Sequence, residues 1–232
     1  MRGTGNPAVL DGEYGFPKFY GASHWEPAKV VSGLGETWAI LKAQYKPYAC
    51  CRVLHSQIDC MTRIISKHGL SPESIESVTS LSMPFVANAD QWSVHTQQDA
   101  QFSIPYVLSL AAHGIPVDAD CQNWEIIEQP SVRQFMAKIR CGVHPDAIAS
   151  RREGRGPWVA RVEVVANGQH YIEETSHAKG GFAFTDDELS DKFERNACTL
   201  LPLSSVREAR EMIWHLDEVT NIAQVVDHLA LQ

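Results

Sequence analysis

No apolar run in this 232-residue sequence approaches the ~18–20 residues that a membrane-spanning helix requires. Residues 1–15 contain no basic start followed by an apolar block, so no secretory leader is expected. CxxC pairs are missing as well. The six cysteines, at positions 50, 51, 60, 121, 141 and 198, have neither a disulfide-framework nor a zinc-ribbon spacing, and reduced thiols are expected. There is no basic excess: 20 Lys and Arg stand against 28 Asp and Glu, a formal charge of -8 with His neutral, which excludes a general nucleic-acid binder. No repeat and no low-complexity tract is visible. These absences point to a soluble intracellular protein, cytoplasmic or mitochondrial, without membrane or nucleic-acid partners. What is present is a 44% hydrophobic content, enough for a core and too much for disorder. An acidic protein holds an acidic ligand only through a local cluster of positive groups, so the places of interest are those where Lys, Arg, His and helix ends converge.

Residues 1–25 contain five Gly, two Pro and six aromatic or His side chains. They read as loop with an aromatic segment, Tyr14 to Tyr20, that needs a surface to pack on. ETWAILKAQY (36–45) is predicted as a strand ended by Pro47. Leu54, Ile58, Met61 and Ile65 recur at steps of 4, 3 and 4 and predict a helix over 51–68, stopped by Gly69. Strands are expected at 75–83 and within 139–147. Ser103 as N-cap, Pro105 in the first turn and Gly114 as stop frame a helix; a shorter one is expected at 131–139. Asn167-Gly168 between alternating stretches predicts a tight hairpin with Val162 and Val164 on one face, Arg161 and Glu163 on the other. Thr185 with Glu188, and Ser205 with Glu208, have capping-box spacing. Helices and a hairpin in irregular order indicate an α+β fold with an antiparallel sheet and packed helices.

The segment richest in chemistry is KPYACCRVLHSQID (46–59). Lys46 is placed just ahead of a helix start, where free backbone N–H groups favour an anion. Arg52, His55, Asp59 and Arg63 fall at steps of 3, 4 and 4 and form one polar stripe. Asp59 is placed to orient the His55 ring and raise its pKa. The plain alternative is a solvated helix face. Cys51 near a helix start, four residues from His55, is also compatible with a thiol nucleophile, whereas adjacent cysteines are more often small buried residues. His24, His95, His113, His144 and His177 show no ligand spacing, and no metal site is expected. RREGRG (151–156) reads as a solvated basic turn.

The same run resembles the Lys-x-Tyr-x-Cys-Cys-Arg-x-x-His-x-x-Ile-Asp signature of the 2-methylcitrate dehydratase / cis-aconitate decarboxylase family (MmgE/PrpD). DAQFSIPYVLSLAAHG (99–114) is similar to its Ala-x-x-Ser-[Ile/Leu]-x-Tyr helix. ETSHAKGGFAFTDDELSDKFERNA (174–197) is similar to its closing segment, a Lys-Gly followed by Thr-x-x-[Glu/Asp]-Leu-x-x-Lys-Phe. LDGEYGFPKFYG (10–21) looks like the Leu-x-Gly-x-x-Gly-Phe segment at the end of its helical domain. Ordered motifs over about residues 10 to 200 make a chance likeness improbable.

The resemblance implies a large helical domain followed by a smaller α+β lid, with the active site between them. It implies dimers, no metal and no other cofactor, and a di- or tricarboxylate substrate that loses water or carbon dioxide. The family's lysine and histidine map to Lys46 and His55. His55 is the expected catalytic residue; Lys46, Tyr48, Arg52, Tyr106 and Lys179 are expected to bind substrate. The decarboxylase branch carries a histidine where Cys51 stands, which favours a 2-alkylcitrate dehydratase. The sequence begins where the family's helical domain ends. Residues 1–25 are therefore expected to be the end of that domain or a linker, 26–203 the lid-like domain, and 204–232 C-terminal helices. A helical-domain partner chain or a homo-oligomer is expected, and a catalytically silent partner of a full-length homologue is the alternative.

Overall fold

The computed structural model describes residues 5, 8–10, 12–87, 93–153, 158–176 and 184–230. They fall into two compact units, Met1–Ala43 and Gln44–Gln232. The first unit contains α1 (Phe16–Phe19) and α2 (Pro27–Val31). Gly15 and Pro17 are its buried residues among those described. Tyr14, Phe19 and Ile40 are 87%, 79% and 76% exposed. The predicted strand at 36–45 is absent; Ala39–Lys42 forms a 3-10 turn instead. Among the described residues no strand pairs with this segment, so it closes its own bonds, Leu41 N–H to the Trp38 carbonyl and Ala43 N–H to the Ile40 carbonyl.

The second unit is built on a four-stranded sheet of order β2-β1-β3-β4: β1 (Ile75–Ser82), β2 (Ile139–Val143), β3 (Ala160–Ala166) and β4 (Gln169–Thr175). The fold is α+β as expected. The sheet, however, is mixed and not antiparallel: β1 and β2 run parallel in the register Val78↔Ile139. A parallel neighbour needs a long crossover. Here it contains α4 (Pro84–Ala87), α5 (Gln97–Phe102), α6 (Ile104–Ala112), α7 (Trp124–Ile127) and α8 (Pro130–Met136). The hairpin is where the dipeptide placed it, with Asn167 at φ 52° and Gly168 at φ 71°. Val162 and Val164 are fully buried; Arg161 and Glu163 form an ion pair on the other face.

The predicted helix at 51–68 is a 3-10 turn, Arg52–Leu54, running into α3 (His55–His68). Leu54, Ile58, Met61 and Ile64 are at most 1% exposed, while Ile65 is only partly buried. The buried stripe therefore drifts one residue from the predicted one in the last turn. Gly69 ends the helix in the left-handed conformation, φ 61°. α3 lies on the face of the sheet formed by Val78, Val162 and Val164. Cys60 Sγ contacts the Ala160 carbonyl at 3.9 Å, and Arg63 and Lys67 both reach Glu173 at 3.4 Å. Those contacts set its direction: the helix starts at the end of the sheet where β1 and β2 finish and β3 begins.

α9 (Ala147–Arg152) follows β2. α6 is framed as predicted, with Ser103 Oγ accepting from the Tyr106 N–H and Gly114 at φ 65°. α10 (Asp186–Ala197) opens with both bonds of the Thr185–Glu188 capping box. The second predicted box is not used. Pro202 occupies the N-cap of α11 (Leu203–Trp214), so Ser205 lies inside the first turn. Arg210 and Arg207 bridge α11 to Glu194 of α10, and Trp214 Nε1–H donates to Ser190 Oγ. The described chain ends in α12 (Ala223–Leu229). Removing the α10 cap with Thr185→Ala is expected to cost about 1 kcal/mol in urea denaturation, because it leaves the Glu188 N–H without its acceptor.

Candidate active site

The start of α3 gathers four of the residues that the sequence singles out. An irregular bend at residues 47–50 separates Lys46 from the helix start, and the Lys46 ammonium donates to the Cys50 carbonyl at 3.2 Å. Tyr48 donates its hydroxyl to Asp59 Oδ1 at 2.7 Å. Burial raises the phenol pKa, and the Asp59 carboxylate raises it further. The Tyr48 ring stands edge-on to His55, centroids 5.1 Å apart. Arg52 lays its guanidinium over the Trp158 ring, 4.8 Å from the centroid. Its Nε and Nη1 are buried and meet no hydrogen-bond acceptor among the described residues.

His55 is fully buried. Neither ring nitrogen makes a hydrogen bond of good geometry among the described residues. Burial and then the Arg52 charge push its pKa down to about 3; the Cys50 backbone offsets part of this, and Lys46 and Lys192 act with Arg52. The expected upward shift from Asp59 is therefore reversed. The stripe is not a solvated face at His55 and Asp59, which are 0% and 7% exposed, whereas Arg52 is half-buried and Arg63 is exposed. The combination is unusual: a buried neutral imidazole beside a half-buried guanidinium, both with inaccessible polar atoms that meet no partner among the described residues. An unmade bond at a buried polar atom costs ~1–3 kcal/mol, so such a pair is suited to a ligand that arrives with acceptors.

The other expected binders are placed differently. Tyr106 is fully buried in α6 and donates its hydroxyl to the Cys121 carbonyl, which commits it to the core. Lys179 lies outside the described residues. Cys50 is buried and its thiol pKa is raised by that burial, which keeps it protonated. Among the described residues no group of three His, Cys, Asp or Glu side chains is placed to hold a metal ion.

Several residues were not anticipated. Trp158 carries no motif and reaches Arg52 only because β3 begins at this end of the sheet. His144 follows β2, is 2% exposed, accepts the Asp146 N–H at Nδ1 and has its Nε2 3.5 Å from Glu174. Lys192 of α10 acts on His55 through space.

Residues 48–218 match the MmgE/PrpD C-terminal domain. The chain belongs to the MmgE/PrpD family. Cis-aconitate decarboxylase of Aspergillus terreus (strain NIH 2624 / FGSC A1156) is 21% identical in an alignment of 247 residues that covers 95% of this chain and 48% of that protein. The chain thus spans about half the length of the curated relative it matches. In this MmgE/PrpD domain the whole signature run, residues 46–59, bends around the start of α3 and turns its charged and aromatic groups towards one another.

Two outcomes follow from the burial. The unfolded chain protonates His55 near its ordinary 6.5, whereas the folded chain does so only near 3. Between these values the unfolded state holds more protons, so stability falls as pH drops below about 6.5, by ~1.4 kcal/mol per pH unit. His55→Gln is expected to flatten that slope by about one proton in denaturation curves taken from pH 7 to pH 4. Arg52→Met removes a half-buried guanidinium that stacks on Trp158 and whose charge lowers the His55 pKa; the thermal midpoint is expected to change little, and the His55 pKa to move up in an NMR titration.

Proposed function

We propose that this domain forms the carboxylate-binding part of a lyase active site acting on a 2-alkylcitrate or a similar polycarboxylate. The observation that carries this reading is the pair of half-buried Arg52 and fully buried His55, with Arg52 Nε and Nη1 and both imidazole nitrogens unpartnered among the described residues. Lys46 adds a second positive charge whose field reaches the ring. A substrate bearing two or three carboxylates supplies the acceptors these groups lack. Membership of the MmgE/PrpD family supports lyase chemistry.

The reaction proposed is loss of water. A base takes the proton from the carbon beside a carboxylate, negative charge builds on that carboxylate, the C=C bond forms, and the hydroxyl leaves with a proton as water. Arg52 and Lys46 stabilise the developing charge, an interaction that strengthens in a water-poor site. His55 enters neutral, with a lone pair free to accept a proton, and the arriving carboxylates raise its pKa towards the working range. Tyr48, anchored on Asp59, holds the ring edge-on. Lys179 is proposed as a further substrate contact, and Tyr106 supports the site by packing. A helical domain, on the same or another chain, or a second copy in a dimer, completes the cleft. Exposed apolar groups at Tyr14, Phe19 and Ile40 favour such a partner.

A second reading is decarboxylation, which the name of the A. terreus relative favours. Its support is weakened by Cys51, which stands where the decarboxylases carry histidine. One assay separates the two. The chain, combined with a helical-domain polypeptide of the family in a demonstrated complex, is given 2-methylcitrate and cis-aconitate. Water loss from the first without release of carbon dioxide from the second is expected, with His55→Gln reducing the rate by ~100-fold or more. Turnover of neither acid by the complex would leave the silent-partner reading standing.

A further inference from the structure

Beside Tyr48 lies a cavity of about 350 Å³ lined by Pro47, Val117, Phe184 and one side of α10. Five charged side chains border it: Asp118, Glu188, Asp191, Lys192 and Arg195. Two of the carboxylates are already engaged. Glu188 closes the α10 capping box, and Asp118 accepts the Asp120 N–H. Asp191 is exposed and acts on Arg210 of the neighbouring helix. The two cations are different. Lys192 and Arg195 are one helical turn apart, and neither has a hydrogen bond or an ion pair within 4.0 Å among the described residues; Asp118 attracts Lys192 only through space. Lys192 is half-buried, and desolvation together with the like charge of Arg195 lowers its pKa. The same cavity wall, Tyr48, is the ring that stands against His55.

We propose that Lys192 and Arg195 form a second carboxylate-binding subsite, in the cavity beside Tyr48, which holds the end of the substrate remote from His55. The proposal rests on the polycarboxylate reading above and extends it to specificity. A substrate with one carboxylate engages Arg52 and Lys46 alone, whereas a di- or tricarboxylate of sufficient length reaches past Tyr48 to α10. Two cations one helical turn apart, Lys192 half-buried at the cavity wall and Arg195 exposed at its rim, gain from an anion placed between them. The Lys-Phe pair that closes the third sequence motif, Lys192-Phe193, thereby acquires a reason for its lysine.

The test uses the full chain and tricarballylate, a tricarboxylate without a hydroxyl group and therefore unable to lose water. Calorimetric titration at low ionic strength measures affinity for wild type, Lys192→Met, Lys192→Arg and Arg195→Gln. In parallel, lysines are reductively methylated with ¹³C-formaldehyde and the Lys192 methyl resonance, assigned by its loss in Lys192→Met, is followed during the titration. The expected result is about tenfold weaker binding in Lys192→Met, a smaller loss in Arg195→Gln, retention in Lys192→Arg, an unchanged thermal midpoint, and movement of the Lys192 signal. Equal affinity in wild type and Lys192→Met, with a static Lys192 signal, overturns the subsite and leaves the Arg52–His55 reading in place. No binding of tricarballylate to wild type, by either method, overturns both.

Discussion

The seating of α3 on the sheet is the constraint on which the rest depends. Leu54, Ile58, Met61 and Ile64 share one hydrophobic core with Val78, Val162 and Val164, all at most 1% exposed. Burying such side chains stabilises the fold by ~1.5–3 kcal/mol each, more than any polar contact nearby. That apolar stripe sets the rotation of the helix, and the rotation decides where Arg52, His55 and Asp59 point. A polar stripe adjacent to an apolar one is carried inward when the apolar one is buried deeply enough. The unpartnered state of Arg52 and His55 is thus sustained by hydrophobic packing, not by local electrostatics, which oppose it.

The direction of α3 matters as much as its rotation. Because Cys60 meets Ala160 and Arg63 meets Glu173, the helix starts over the end of the sheet where β1 and β2 finish. Trp158 enters β3 there, and β4 finishes there at Thr175, just ahead of the segment that contains Lys179. The convergence is a result of topology. A parallel β1–β2 pair, the long crossover between them and an antiparallel hairpin bring four chain ends to one edge. Ligands tend to bind at the carboxyl ends of parallel strands, and this mixed sheet has a short version of such an edge. Stability is given up at that edge: the imidazole nitrogens of His55 and two guanidinium nitrogens of Arg52 are inaccessible to water and meet no hydrogen-bond partner among the described residues, which costs free energy.

Much of this was legible along the chain where the signal is local. The hairpin at Asn167-Gly168 needs two positive φ angles, and few dipeptides adopt them easily. The Thr185–Glu188 box and the Ser103 cap depend on groups three residues apart. By contrast, 36–45 alternates like a strand but meets no partner, and Ser205 has the right spacing but loses its place to Pro202. The parallel pairing of β2 depends on a crossover whose path no local pattern encodes.

The sequence by itself determined the identity of the chemical groups and their family. KPYACCRVLHSQID carries Lys46, Tyr48, Arg52 and His55 within fourteen consecutive positions, a length over which chain connectivity alone keeps residues close. It also determined the amphipathic period of α3 and the stops at Gly69 and Gly114. Only the tertiary structure decided the state of those groups. Asp59 bonds Tyr48 rather than serving His55, Arg52 rests on a tryptophan from a distant strand, Tyr106 is spent on Cys121, and Lys192 arrives from α10. The reason is physical: which residues sit side by side is set by covalent spacing, whereas burial, and with it the pKa of His55, is set by whatever the rest of the chain packs around them.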